Sequence, residues 1–180
     1  WAVGDAGVIL HYAGGAWQTS PSPTTSSLTS IAMPSPGEGW AVGNDGTILR
    51  FTGGSWQADP SPTTNRLYSV SASSANQAWA VGSAGTILRY ANGAWQALFS
   101  PPRRSYVKSI SMISPSEGWA AGGDGTILRY RGGDWRVLPS PEVIGLASIA
   151  MASANEGWAV GPGGTMLHYI CGSWQPVPIP

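Results

Sequence analysis

Hydrophobic and polar positions in this chain form short runs that recur along its whole length. Runs such as Thr47–Phe51 and Leu28–Met33 are rich in β-branched, aromatic and aliphatic residues, and Gly, Pro, Asn or Ser bounds each of them. This composition and spacing are typical of short β-strands separated by turns. No stretch carries apolar residues at the 3.6-residue period of a helix. The pattern therefore predicts an all-β protein.

The runs are copies of one unit. A seventeen-residue phrase has Trp at its start, Gly at +3 and +6, Leu at +9, an aromatic at +11, Gly at +14 and a second Trp at +16. Its five copies, spaced by 39, 39, 40 and 39 residues, begin at Trp1, Trp40, Trp79, Trp119 and Trp158. A fixed period near 40 indicates a repeat architecture. Residues 1–180 are therefore predicted to form a single repeat domain.

Each unit contains four extended segments joined by hairpin turns. Gly53-Gly54 suits a type I′ turn, which needs positive φ at both central residues. A two-residue turn at Asn44-Asp45 would place Trp40 opposite Leu49. Cys171 stands where other copies have Gly or Asn, so a strained or different turn is expected there, at an exposed tip.

One longer link, rich in Pro, Ser and Thr, connects each unit to the next. Short hairpins within a unit and one long link between units describe the blade of a β-propeller. The predicted fold is therefore an all-β propeller of about five four-stranded blades.

The first blade lacks its innermost strand, because no such segment precedes Trp1 and the Pro-rich end at 175–180 cannot pair in a sheet. Three explanations are open. The sequence is part of a longer chain with more blades, or the first blade has three strands, or a partner donates the strand and forms an oligomer.

The phrase from Gly39 to Trp56 (GWAVGNDGTILRFTGGSW) resembles the repeats of bacterial secreted and surface propellers. These are related to the photosystem II stability/assembly factor family and, distantly, to the sialidase-type repeat superfamily. The resemblance covers the whole chain and implies a propeller outside the cell or on its surface. The sialidase Asp-box pattern is not matched, and the basic patch of the assembly-factor family can be carried over to no particular residue.

Composition narrows the possible partners. Nine basic and nine acidic residues give zero net charge, which does not favour nucleic acid or an anionic membrane. No run of about 18 apolar residues predicts a membrane-spanning helix. The single Cys171 excludes an internal disulfide and a Cys-based metal site. No metal site, cofactor or catalytic motif is predicted.

Two repeated columns are candidates for chemistry. The ten Trp residues could stack on sugars, but strict periodicity favours packing between blades. The residue at +10 is basic or potentially basic in every copy, and it is expected to hydrogen-bond a facing Gln or the acid two before the Trp. This column consists of His11, Arg50, Arg89, Arg129 and His168.

The fourth repeat departs from the others, because Arg129 is expected to face a second arginine where most copies have Gln. Basic residues concentrate there, and they form a candidate binding site for an acidic partner. Glu117, Asp124 and Asp134 could instead neutralise them. The candidate site residues are Arg103, Arg104, Lys108, Arg129, Arg131 and Arg136.

The sequence favours a non-enzymatic extracellular or cell-surface scaffold that binds a protein partner. The first alternative is a lectin with one shallow glycan site per blade, and the second is a sialidase-like glycoside hydrolase. An acidic pair for hydrolysis can form in space without a sequence signature.

Overall fold

The computed structural model describes residues 1–98, 106–141 and 145–178, and within these ranges every regular element longer than a single turn is a β-strand. The all-β prediction is confirmed. Nineteen strands form five separate antiparallel sheets, which follow one another along the chain. Each sheet corresponds to one copy of the repeat, and the sheets are numbered here as blades 1 to 5.

The strands of each blade run in sequence order across the sheet, except that blade 1 has three strands. Blade 1 contains β1 (Ala2–Val3), β2 (Ile9–Ala13) and β3 (Ala16–Ser20). Blade 2 contains β4 (Leu28–Ser35), β5 (Glu38–Gly43), β6 (Ile48–Thr52) and β7 (Ser55–Ala58). Blade 3 contains β8 (Leu67–Ser74), β9 (Gln77–Gly82), β10 (Ile87–Ala91) and β11 (Ala94–Leu98). Blade 4 contains β12 (Val107–Ser114), β13 (Glu117–Gly122), β14 (Ile127–Arg131) and β15 (Asp134–Leu138). Blade 5 contains β16 (Ser148–Ser153), β17 (Glu156–Val160), β18 (Met166–Ile170) and β19 (Ser173–Pro176).

The first strands of blades 2 to 5 lie side by side in succession, β4 against β8, β8 against β12 and β12 against β16. These four strands are therefore innermost, and the last strand of each blade is outermost. Radially repeated small antiparallel sheets define a β-propeller. The predicted fold is confirmed, as is the prediction that blade 1 lacks its innermost strand.

The turn between the second and third strands of a blade is one residue longer than the sequence suggested. In blade 2, Gly43 N–H donates to Thr47 O (3.0 Å), and residues 44–46 form a short 3₁₀ turn. Trp40 therefore faces Arg50, and the predicted pairing of Trp40 with Leu49 is wrong. A shift of one residue in the pairing of two strands moves the side chains of one strand to the opposite face of the sheet. The longer turn thus places Arg50 beside the indole of Trp40.

The extra turn residue requires glycine at +6. Asp45 and Gly46 both have positive φ, of 54° and 68°. A Cβ on Gly46 would also collide with the backbone carbonyl oxygen of Thr63 in the link to blade 3. The turn therefore fixes both the register of its hairpin and the position of the following link.

The turns between the third and fourth strands agree with the sequence. Gly53 and Gly54 have φ of 59° and 81°, as a type I′ turn requires. Arg50 faces Gln57 across this hairpin, as predicted. Cys171 adopts the same left-handed conformation (φ 52°) at an exposed tip, so the last hairpin keeps the turn type despite a side chain that disfavours it.

The hydrophobic core consists of four clusters, and each cluster is shared by two consecutive blades. Trp40 of blade 2, for example, packs with Leu88, Tyr90 and Trp95 of blade 3. Ile48 and Leu49 are both almost fully buried although they point to opposite faces of β6. A sheet that is apolar on both faces lies between two packed layers. Each blade therefore needs a neighbour on both sides.

Serine hydroxyls connect the innermost strands of neighbouring blades. Ile149 N–H in blade 5 donates to Ser109 Oγ in blade 4 (3.1 Å), and this hydroxyl lies 3.4 Å from Ile149 O. The same kind of bond joins Ile110 N to Ser69 Oγ and Val70 N to Ser30 Oγ. Side chains thus satisfy backbone groups along the inner wall between sheets that share no backbone ladder.

We predict that Ser109→Ala lowers the free energy of unfolding by about 1–3 kcal/mol, because it leaves the buried Ile149 amide without a partner. The matched control is Ser148→Ala, at the corresponding position of blade 5, where the side chain is exposed. Urea unfolding followed by tryptophan fluorescence measures both variants. Equal losses in the two variants would contradict the proposed role of the hydroxyl.

Candidate binding site

The basic column at +10 packs on the first Trp of its own blade. The guanidinium carbons of Arg50, Arg89 and Arg129 lie 5.1, 5.3 and 4.8 Å from the ring centroids of Trp40, Trp79 and Trp119. Such distances allow a cation–π attraction. In the two terminal blades a histidine replaces the arginine and stacks on the Trp, with centroids 4.1 Å apart in each case.

Two of these arginines, Arg50 and Arg129, also reach the next blade. Arg50 Nη1 donates to the hydroxyl of Tyr90 (2.8 Å), and Arg129 Nη1 donates to that of Tyr169 (3.3 Å). Each of them has an acidic neighbour on the second strand of its blade, as the sequence predicted. Arg129 Nη2 lies 2.5 Å from Glu117, and Arg50 Nε lies 3.6 Å from Glu38. These arginines are therefore structural connections between blades.

Blade 4 differs from this arrangement at its outer strands. Arg129 on β14 faces Arg136 on β15, as predicted, and Arg131 lies two residues further on the same face of β14. These three arginines and Leu138 line a groove with a volume of about 360 Å³, which is called the arginine groove below. It opens on the side of blade 4 that faces blade 5, since Arg129 contacts Tyr169.

A second, smaller crevice continues from the arginine groove. Leu138 lines both, and the crevice of about 100 Å³ also contacts Tyr169, Ser173 and Trp174 of blade 5. The combined surface offers guanidinium groups on one wall and apolar and aromatic atoms on the other. An extended segment with a carboxylate beside an apolar side chain matches this chemistry.

The positions that make the groove basic are neutral in the other blades. The residue facing the +10 column is Gln18, Gln57, Gln96 or Gln175 in blades 1, 2, 3 and 5. Only in blade 4 are that position and the +12 position both arginine. The repeat itself therefore does not require Arg131 and Arg136 for folding.

Glu117 neutralises Arg129, as the sequence allowed, but the groove keeps positive charge. In the described part of the chain, the ion pairs closer than 4 Å are those of Arg50, Arg129 and His168. Arg131 and Arg136 are exposed and belong to none of them. Asp134 faces Arg131 across the hairpin without forming such a pair, and Asp124 Oδ1 accepts from Thr126 N–H in its own turn.

The structure does not bring all the predicted basic residues together. Lys108 lies on β12, the innermost strand, at the opposite edge of the blade from β15. Three strand spacings separate these edges, about 14 Å. Arg103 and Arg104 lie outside the described residues. The described site thus contains Arg129, Arg131 and Arg136 of the six candidates.

Sequence reasoning identified these arginines but not the groove. Leu138 of β15 lines it from blade 4, and Tyr169 and Trp174 complete it from blade 5, about 40 residues further along the chain. The repeat period contained the information needed to find these residues. Tyr169, which contacts Arg129, lies one repeat later in the sequence. The packing of adjacent blades had to be known before that signal could be used.

The tryptophans of the middle blades are not available to stack on a sugar. Seven of the ten are buried, namely Trp40, Trp56, Trp79, Trp95, Trp119, Trp135 and Trp174. Trp17 and Trp158 are the exposed ones, and they belong to the two terminal blades. The tryptophan columns therefore do not form one aromatic platform per blade.

Two other features bear on the possible chemistry. Within the three described ranges, no three His, Cys, Asp or Glu side chains lie close enough together to hold a metal ion. A search of the same ranges finds no helix with the length and hydropathy needed to cross a bilayer.

The fold and the groove define the class of this protein. Its architecture is that of β-propellers. No protein-family model matches the sequence, and no curated protein matches it. Solved propeller structures do match.

One similar structure is YCF48 bound to D1 peptide, with a TM-score of 0.69 and 20% identity over 86% of this chain. YCF48 from Cyanidioschyzon merolae has a TM-score of 0.70 and 24% identity over 89% of this chain. A catalytically inactive virginiamycin B lyase from Staphylococcus aureus, solved with quinupristin, has a TM-score of 0.84 and 20% identity over 97%. The chain spans 55%, 59% and 64% of these three structures. At these identities the likeness establishes the fold.

We predict that Asp59 makes stability depend on pH. Burial raises the pKa of its carboxyl above the ordinary value of 3.8, and the nearby Arg50 opposes this only in part. The folded protein therefore binds this proton more tightly than the unfolded chain does. The contribution of Asp59 to stability is greatest below pH 3.8 and decreases as the pH rises through the raised pKa.

Asp59→Asn should remove this dependence, so the variant should gain stability relative to the parent as the pH rises from about 4 to 7. Urea midpoints at several pH values would measure the difference. Asp134→Asn, which changes an exposed carboxyl on β15, is the control. A difference between Asp59→Asn and the parent that stays constant with pH would refute the prediction.

Proposed function

We propose that this propeller is a non-enzymatic binding module, and that the arginine groove binds an acidic, extended segment of a protein partner. The observation that carries the proposal is the replacement of neutral residues by Arg131 and Arg136 in a single blade, beside an inter-blade crevice. Arg recognises carboxylates with paired hydrogen bonds in fixed geometry. A groove is also more selective than a flat basic surface.

The local electrostatics support an acidic ligand. Arg129 and Arg136 are directly opposed on neighbouring strands, which is unfavourable for two like charges. Glu117 already offsets the charge of Arg129, so a bound carboxylate would mainly neutralise Arg131 and Arg136. The overall charge of the chain is zero, and the attraction is therefore local to this groove.

One similar propeller is known with a peptide bound to it. The YCF48 structure described above contains a bound D1 peptide. That observation concerns YCF48, and it supports the present proposal only by showing that a structurally similar propeller accommodates a peptide. The placement outside the cell or at its surface is part of the proposal, and it rests on the resemblance of the repeat.

The proposed role does not include catalysis. The described lining of the groove consists of three guanidinium groups and an aliphatic side chain. Guanidinium stays protonated in proteins and does not act as a general base at neutral pH. Arginine and leucine suit recognition of an anion better than proton transfer or nucleophilic attack.

We predict that a fluorescein-labelled peptide with alternating Glu and Leu binds the protein, and that the same peptide with Gln for Glu does not. Fluorescence anisotropy at low and high salt measures both affinities. The affinity for the Glu peptide should fall with salt, because charge–charge attraction is screened. Equal binding of the two peptides, or binding of neither, would contradict the proposal.

Two variants test the site itself. Arg131→Gln and Arg136→Gln should each weaken binding of the Glu peptide about tenfold, because each removes a charge-assisted hydrogen bond. All four other blades carry Gln at the second of these positions, so folding should be unaffected. Lys108→Gln is the matched control, since it removes one positive charge from the same blade at its inner edge. A similar loss in all three variants would indicate a nonspecific charge effect.

A further inference from the structure

The four inter-blade interfaces follow one packing rule. The first Trp of a blade contacts the +11 aromatic and the second Trp of the next blade. The centroid distances are 4.4 Å for Trp40 to Tyr90 and 5.1 Å for Trp40 to Trp95. They are 4.5 Å for Trp79 to Tyr130 and 5.6 Å for Trp79 to Trp135. Trp1 contacts Phe51 and Trp56 of blade 2, and Trp119 contacts Tyr169 of blade 5.

Blade 5 has the first Trp of such an interface, but no following blade among the described residues packs against it. Trp158 is 41% exposed, whereas the equivalent Trp79 and Trp119 are fully buried. Val160 is also exposed, although the equivalent Val81 is fully buried. Trp158 stacks on His168 with centroids 4.1 Å apart, the same distance as between Trp1, which contacts blade 2, and His11.

Blade 1 presents the complementary half. Tyr12 and Trp17 are 55% and 54% exposed, whereas the equivalent pair in blade 4, Tyr130 and Trp135, is buried. The two pairs have almost the same geometry, with centroids 5.4 Å apart in blade 1 and 5.3 Å apart in blade 4. The inner edge of β1 is also unpaired among the described strands.

We propose that these two faces take a pair of further blades of this same repeat, which close the five blades into a ring of seven. Exposed apolar surfaces of this kind mark interaction sites. The internal repeat indicates what covers the two exposed faces. In the other blades, the equivalent positions are covered by a neighbouring blade with the same sequence pattern.

The lengths of the three similar propellers indicate the number of added blades. The shares of the three solved propellers that this chain spans correspond to about seven blades of about 39 residues in each of them, within the usual range for this fold. Five blades therefore leave space for two. A second copy of the chain would bring five blades into that space and could not close the ring.

The added blades have specific contacts to make. The first should place an aromatic and a Trp against Trp158, and an inner-strand amide against Ser148, whose equivalent Ser109 accepts such a bond from Ile149. The second should place its first Trp against Tyr12 and Trp17. A further inner strand would then pair with β1 and complete blade 1.

The experiment supplies these blades from the sequence of the chain itself. A copy of residues 19–97, which contains blades 2 and 3, is appended after Gln175 and is followed by a copy of residues 59–74, which provides the strand for β1. Analytical ultracentrifugation and urea unfolding compare this extended protein with the 180-residue chain. The extended protein should be a monomer that unfolds in one transition at a higher urea midpoint.

Two tryptophan variants identify the interface. In the 180-residue chain, Trp119→Ala should lower the urea midpoint strongly, whereas Trp158→Ala should lower it little, since its indole is partly exposed. In the extended protein, both variants should lower the midpoint by similar amounts. If Trp158→Ala remains as mild there as in the 180-residue chain, the added blades do not cover this face and the proposal is wrong.

A second readout applies even if the extended protein folds poorly. A shorter extension, with residues 19–58 after Gln175, adds one blade. With 5-fluorotryptophan labelling and assignment through Trp158→Phe, the fluorine resonance of Trp158 should lose its solvent-dependent shift in either extension. If neither extension protects Trp158, the proposal is wrong. It is also wrong if the 180-residue chain alone forms a dimer that Trp158→Ala dissociates, because a second copy then occupies the face.

Discussion

The structure depends on the packing of one tryptophan per repeat between two blades. Trp79 illustrates the arrangement: it lies under Arg89 of its own blade and against Tyr130 and Trp135 of the next. The indole buries a large apolar area, and the guanidinium covers its outer face while remaining hydrated at its edge. Because each sheet shares its apolar core with a neighbouring blade, it is not expected to be stable without this contact.

The repeat allowed most of the fold to be predicted, but not the pairing within a hairpin. Gly43 and Gly46 suggested a two-residue turn between them, and such a turn would have separated Trp40 from Arg50. In the structure, Thr47 O accepts from Gly43 N–H and adds one residue to the loop. The sequence pattern predicts which segments are strands, but a Gly-rich turn between two strands can have more than one length. At the observed length, Gly46 packs against the carbonyl of Thr63 in the following link, a contact between segments that are distant in sequence.

The candidate site shows the same limit. Arg129 and Arg136 were expected to face each other, because their separation across a two-residue turn could be read from the sequence. The groove beside them could not be inferred, since Leu138 and Trp174 meet only when blades 4 and 5 pack. Lys108 was grouped with the arginines because it is near them in sequence, yet it lies at the inner edge of the same sheet. Residues that are near in sequence can thus lie at opposite edges of a blade. Residues one repeat apart, in contrast, occupy equivalent positions in neighbouring blades and often lie close together.

The serine bonds along the inner wall have a consequence for how the protein folds. Ser69 and Ser109 each connect an innermost strand to the equivalent strand about 40 residues later. The contacts between blades are therefore repeated contacts between neighbours. Such a chain behaves approximately as a one-dimensional series, in which a unit with two neighbours is more stable than a unit with one. Blades 2 to 4 should therefore be the most stable, and amide hydrogens there should exchange most slowly with solvent. Blades 1 and 5 should open first, and unfolding should proceed from both ends toward the middle.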